Sequence, residues 1–129
     1  MTIELKILAW AVALGLAQIA IAATFSTIQR GVSWNTSARD VAPAPLTGVG
    51  GRFERAYRNM LETFPFFAAA VLAVVATQHT SAHTALGAEL YLGARLLYVA
   101  IYAAGIPYLR TIVWSVSMAG IVMVLLALF

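Results

Sequence analysis

The chain has 129 residues, 62% of them hydrophobic and only 10% charged, a composition that belongs in a membrane and excludes a soluble globular domain. Four spans of about 20 apolar residues would use most of that length and leave no room for an appended soluble unit. Cys is absent and the net charge is +3, from eight Lys and Arg against five Asp and Glu, which excludes disulfides, thiolate metal sites, iron–sulfur clusters and Cys nucleophiles and gives too little basic surface for nucleic acid.

The first apolar run extends from Ile7 to Ile28 with Gln18 as its main polar interruption, long enough to span. Ala20-Ile21-Ala22 has the small residues of a signal cleavage site, but the run exceeds the about 7–15 residues of a signal core and positive charge follows it, so it is read as a retained span. Ala9, Ala13 and Ala17 would let it pack closely on a neighbour. Gln29 to Gly51, with Pro43, Pro45 and several glycines, reads as the one substantial loop. Helical character returns at Arg52, a short polar turn covers Gln78 to Thr84, and Gly105-Ile106-Pro107 breaks the chain again. The expectation is an all-α, up-down-up-down four-helix membrane bundle with helices over about 5–29, 52–78, 84–104 and 107–129 and a loop over 30–51. Arg30, Arg39, Arg52, Arg55 and Arg58 flank the first loop and Arg110 the third turn, so the positive-inside rule puts both in the cytoplasm and the termini opposite. A multi-pass protein of a bacterial inner membrane is expected.

At about 100° per residue, Arg52, Arg55, Arg58, Asn59 and Glu62 fall within an arc of about 120° on the second helix. Intrahelical pairs such as Arg58 with Glu62 contribute only about 0.3–0.5 kcal/mol and do not account for stacked arginines on a face that should meet other helices. On the third span Tyr91, Arg95, Tyr98 and Tyr102 lie within roughly 60° of one another. Arg95 is near mid-span, where a cation must face the bundle interior and find a partner. Glu62 and Arg95 have matching depths, about 13 Å below the boundary, which predicts that they pair or share one network. The remaining arginines, Arg52, Arg55, Arg58 and Arg110, lack carboxylates among the buried helices. A small, multiply anionic ligand in a cationic pocket open to lipid would resolve the imbalance, because guanidinium forks suit carboxylates and phosphates. Anionic lipid headgroups are the competing ligand.

The segment Phe53-Glu54-Arg55-Ala56-Tyr57-Arg58-Asn59-Met60-Leu61-Glu62-Thr63-Phe64-Pro65 resembles the second-helix signature of the membrane-associated proteins in eicosanoid and glutathione metabolism, the MAPEG family. Gly93-Ala94-Arg95, Tyr98, Tyr102 and Leu109-Arg110 are similar to its third helix and following turn. The resemblance implies a homotrimer that binds glutathione as co-substrate between subunits near the cytoplasmic face and acts on a lipophilic small molecule from the bilayer. It assigns glutathione binding to Arg55, Asn59 and Glu62, with Arg58, Tyr98 and Tyr102 at further contact positions and Arg30 closing the site from the first helix. Arg95 joins this set by its place on the polar seam. Arg110 matches the arginine that stabilises the thiolate in leukotriene synthases. Thr63 stands where those enzymes have Tyr, Trp114 where some eukaryotic members have Tyr, and Tyr98 where prostaglandin-synthase-like members have His. Pro107 bears on the turn that aims Arg110.

The implied activity is that of a membrane-embedded glutathione-dependent transferase or peroxidase. A non-catalytic lipid- or glutathione-binding scaffold of the same family is the alternative. A small four-helix exporter is disfavoured, since the first span offers only Gln18 beyond Glu4. His79 and His83 are four apart, but no Glu follows His79 and no third ligand is near, so no metal is expected. Gly48-Val49-Gly50-Gly51 lacks the Lys of a P-loop and reads as a flexible segment. Met118 and Met123 read as packing or lipid-facing residues.

Overall fold

In the computed structural model, which describes residues 1–129, every regular element is a helix: α1 Ile3–Arg30, α2 Val32–Thr36, α3 Gly48–Ala76, α4 Ala82–Ala104 and α5 Leu109–Leu126. All but α2 are long and apolar enough to cross a membrane. The short turns after α3 and α4 force antiparallel neighbours, and α1 packs on α3 and α4 while α5 packs on α4 and α3, which makes an up-down-up-down four-helix bundle. The arginines collect at one end of it, where α1 and α4 finish and α3 and α5 begin.

Each boundary has a local cause. The α1 start is capped by Thr2 Oγ1, which accepts from the Leu5 N–H at 3.3 Å. Ser81 and Thr84 form a reciprocal capping box at the start of α4, and Gly105 ends α4 in the left-handed region that a residue without Cβ adopts at no steric cost. The second long helix starts at Gly48, one turn earlier than Arg52. Gly50 and Gly51 are packing residues there: a Cβ on Gly50 would lie 2.8 Å from Gln29 Nε2, and one on Gly51 2.5 Å from the Leu46 carbonyl oxygen.

The expected loop over 30–51 contains α2 and is tied to α1. Gln29 accepts from the Thr47 N–H at 2.9 Å and donates to the Thr47 carbonyl at 3.1 Å. The Arg30 and Arg39 guanidiniums lie 5.3 and 5.0 Å from the centre of the Trp34 ring. Ala9, Ala13 and Ala17 lie on the exposed side of α1. Inside the chain α1 buries Glu4, Ala11 and Gln18, one residue every two turns.

The larger core cluster joins Ala11, Met60, Phe67, Val71 and Tyr91, with Phe67 stacked on Tyr91 at 4.0 Å between ring centres. At the bundle end opposite the arginines, buried Glu4 accepts from Thr84 Oγ1 at 2.5 Å, which locks the first turn of α1 to that of α4. Glu4→Ala is expected to lower the unfolding free energy by about 1–3 kcal/mol, and Glu4→Gln, which keeps an acceptor oxygen, by clearly less. Denaturant unfolding in mixed micelles followed by circular dichroism measures both; equal losses would contradict the hydrogen bond as the cause.

Candidate functional site

A cavity of about 440 Å³ opens near the arginine-rich end between α3, α4 and α5. Arg55, Arg58, Asn59 and Glu62 line it from α3, Tyr98 and Tyr102 from α4, and Arg110, Thr111 and Trp114 from α5. The arc read on the second helix and the seam read on the third therefore face one another across it. Arg55 Nε donates to Tyr102 Oη at 3.0 Å. The Arg55 and Arg110 guanidiniums lie 5.6 and 4.9 Å from the Tyr102 ring centre. Tyr102 thus fixes two cations at once, one of them doubly.

Arg110 owes its position to an unusual turn. Leu109 N–H donates to the Pro107 carbonyl at 2.6 Å and Tyr108 adopts φ 62, ψ −54, a γ-turn in a region that side chains rarely occupy. Gly105 and this turn together reverse the chain within four residues, and α5 begins with Arg110 in its first turn.

Arg95 is wholly buried and does not line the cavity. Its expected pairing with Glu62 does not occur. Arg95 Nη1 donates to Asn59 Oδ1 at 2.9 Å, and its guanidinium lies 4.4 Å from the Tyr98 ring centre. Its Nε and Nη2 have no partner. Glu62 stays exposed on the cavity wall, and pairing with the wholly buried Arg95 would require its carboxylate to be buried as well, at a desolvation cost. Asn59, one helical turn nearer the arginine-rich end, offers a neutral acceptor instead. Arg95 therefore stands behind the cavity and holds two of its lining side chains.

Two further pairings differ from the sequence reading. Arg58 Nη2 pairs with Glu54 Oε1 at 2.8 Å, not with Glu62, and Arg30 reaches the other oxygen of Glu54 at 3.8 Å. Glu54 lies outside the polar arc yet partly neutralises two of the arginines. In its own chain Arg30 does not line the cavity; its Nε donates to the Ala44 carbonyl at 2.9 Å.

An apolar groove of about 590 Å³ continues from the cavity between α3 and α5, sharing Glu62 and Trp114 with it. Phe66, Ala69 and Ala73 form one side, Met118, Ile121 and Leu125 the other. Met118, read from sequence as packing or lipid-facing, does pack against the larger core cluster and lines the groove as well, which sequence reading missed. The available signal was the pair of small residues Ala69 and Ala73, one turn apart, which leaves room that larger side chains would fill. Thr111 was also missed, since a hydroxyl beside Arg110 is unremarkable until the fold turns both into one cavity. His79 lies at the opposite end of the bundle, exposed, with Nδ1 2.9 Å from Thr77 Oγ1.

The cavity holds three guanidiniums and one carboxylate, so an acceptable ligand carries more negative than positive groups. Its volume suits a small polar molecule, and the groove beside it suits an apolar one. A family model, that of the MAPEG family, matches residues 7–129. No curated protein and no solved structure matches the chain. With a match over nearly its whole length, the chain belongs to the MAPEG family.

Proposed function

We propose that this protein is a membrane-embedded glutathione-dependent transferase or peroxidase acting on lipophilic electrophiles, a branch of activity represented in a family that also has non-catalytic members. The observation that carries the reading is the charge pattern of the cavity: Arg55, Arg58 and Arg110 face a single lining carboxylate, Glu62, and a positive excess remains even with Arg58 paired to Glu54 behind the wall. Glutathione has two carboxylates and one ammonium group, the complementary set. Arg55 and Arg58 hold carboxylates, Glu62 takes the ammonium, and Asn59, Tyr98 and Tyr102 orient the peptide through hydrogen bonds.

Bound glutathione supplies the nucleophilic sulfur. A thiol with a pKa near 8.5 is only slightly ionised at neutral pH. Arg110, beside it and over the Tyr102 ring, favours the thiolate, and the thiol gives its proton to water. The apolar groove holds the electrophile with its reactive carbon or oxygen at the Trp114 end, so both reactants meet at Glu62 and Trp114. In its own chain Arg30 is engaged elsewhere, so a part for it in the site requires a neighbouring copy, as in the expected homotrimer. The arginine-rich end would face the cytoplasm of a bacterial cell, where the water-soluble reactant is found.

The deciding experiment titrates glutathione into the detergent-purified protein, follows thiolate absorbance, and then adds an aryl halide or an alkyl hydroperoxide. Saturable binding, a thiolate signal and turnover of either electrophile are expected. Absence of binding would overturn the reading, and binding with neither thiolate nor turnover would move the protein to the scaffold branch.

Arg95 gives a sharper test of the site. Arg95→Met removes a buried charge that has no carboxylate partner, so stability is expected to be unchanged or higher. Asn59 loses its donor and its fixed orientation, and glutathione affinity is expected to fall about tenfold. Calorimetric titration beside a thermal melt measures both; unchanged affinity would remove Arg95 from the site.

A further inference from the structure

A second cleft, of about 340 Å³, adjoins the first cavity at Arg55, Tyr102 and Arg110. Arg52, Arg55 and Arg110 line it, with Tyr102 and the backbone turn Gly105-Ile106-Pro107. Arg55, Tyr102 and Arg110 are common to the two spaces, whereas Arg52 belongs only to the second and Arg58, Asn59 and Glu62 only to the first. No carboxylate lines the second cleft. Glu54, the nearest acidic residue on α3, is engaged by Arg30 and Arg58.

The guanidiniums here are held, not loose. Arg52 Nη1 donates to the Ala103 carbonyl at 3.1 Å. Gly105 makes room for it: with φ +73 and no side chain, this residue lets the Arg52 Cζ approach to 3.2 Å from where a Cβ would stand. Arg55 is fixed by Tyr102 Oη at 3.0 Å and Arg110 by the ring face at 4.9 Å. Three like charges around one cleft repel unless an anion sits among them. Forks already oriented lose little freedom when it does.

One lining residue, Ile106, is apolar and leaves 45% of its surface uncovered beside the polar floor. Tyr108 and Leu109, which follow the turn without lining the cleft, leave 85% and 43% uncovered. A bare inorganic ion would use the floor alone. An amphiphile would use more, its oxyanion on the arginines and its chain leaving over Ile106 toward the exposed apolar residues that follow the turn.

We infer that the Arg52–Arg55–Arg110 cleft is a second anion site, separate from the glutathione cavity, that takes the oxyanion head of an amphiphile, a phosphate or carboxylate carried on an alkyl or acyl chain. The inference stands on the guanidinium geometry and does not require glutathione to bind. Because Arg55 and Arg110 face both spaces, an occupant of either site changes the field in the other, and the two bindings are thermodynamically linked.

The test is calorimetric titration of the whole protein, held in zwitterionic nanodiscs, with dodecyl phosphate, dodecanoate and inorganic phosphate. Saturable binding of the two amphiphiles is expected, with inorganic phosphate at least about tenfold weaker. Arg52→Gln is expected to weaken amphiphile binding by about tenfold or more, the loss of a charge-assisted contact. Arg52→Lys, which keeps the charge, retains part of it, and Lys6→Gln, which removes a cation at the opposite end of the bundle, leaves it unchanged. Circular dichroism verifies that each variant is folded. If phosphatidylglycerol in the nanodisc suppresses titration of the wild type, the occupant is a lipid headgroup; if it does not, the occupant is a free amphiphilic acid. Wild-type protein that binds none of the three probes, or binding indifferent to Arg52→Gln and Arg52→Lys alike, overturns the inference. Glutathione binding persisting beside such a result would leave the proposed function intact.

Discussion

Arg110→Ala is expected to leave glutathione bound but un-ionised. A guanidinium within about 4–6 Å lowers the pKa of an acid by about 1–3 units, which would bring a thiol from near 8.5 to around 6.5 and make most of it thiolate at pH 7. Without Arg110 only a few per cent is ionised at that pH, and the conjugation rate at neutral pH is expected to fall about 10–100-fold. The sign of the pH dependence follows. The reactive form is the deprotonated one and its pKa is depressed in the wild type, so wild-type activity is lost as pH falls through the lowered pKa. The variant loses activity already below about 8.5, so the fold deficit is largest at and below the lower value, shrinks between the two and closes above the higher one. Thiolate absorbance and initial rates across that range measure this, and parallel profiles for the two proteins would exclude Arg110 from the role. Arg110 lines the cavity and is held over Tyr102, so the variant removes one charge from a wall whose other members stay in place.

The second large effect concerns the frame of the site. Gly87 on α4 and Gly120 on α5 meet backbone to backbone: a Cβ on Gly120 would stand 2.5 Å from the Gly87 carbonyl oxygen and 2.9 Å from the Tyr91 nitrogen, and one on Gly87 would stand 2.8 Å from the Gly120 carbonyl oxygen. Neither obstacle is a side chain that can turn away. Gly120→Ala therefore forces the helices apart by roughly 1 Å, and overpacking of this kind costs about 1–3 kcal/mol. Helical propensity works in the opposite direction by about 1 kcal/mol, so a net loss identifies the contact as the cause. Gly93, on the same helix, has nothing within 4 Å of its would-be Cβ, and Gly93→Ala is expected to be neutral or stabilising by about 0.5–1 kcal/mol. Unfolding of both variants in denaturing detergent, compared with the wild type, decides the matter; equal behaviour would show that the close approach has no energetic weight. The separation also widens the gap between Tyr98 and Tyr102 on α4 and Arg110 and Trp114 on α5, so weaker glutathione binding should accompany the loss of stability.

The contrast between Gly120 and Gly93 illustrates what one-dimensional reading can reach. Both are single glycines in apolar helices, and nothing in their neighbours along the chain tells them apart. The small-residue spacing that did attract notice, Ala9, Ala13 and Ala17, falls on a side of α1 that the chain leaves exposed. Periodicity located the polar faces because every residue of a helix is placed relative to its neighbours by a fixed rotation. It put Arg55, Asn59 and Glu62 on one arc and Tyr98 and Tyr102 on another, and all five line one cavity. It could not choose partners. Glu54 was left out of the arc yet binds Arg30 and Arg58, and Arg95 took Asn59 in place of Glu62.

By itself the sequence determined the membrane environment, the number of spans and the side of each helix that carries charge, because hydropathy and helical rotation act over short stretches of chain. The tertiary structure alone decided which carboxylate meets which arginine, where two backbones touch, and that an apolar groove and a second cationic cleft adjoin the same aromatic wall. Those outcomes depend on separations of a few ångströms between residues that are distant along the chain, fixed only when helices pack.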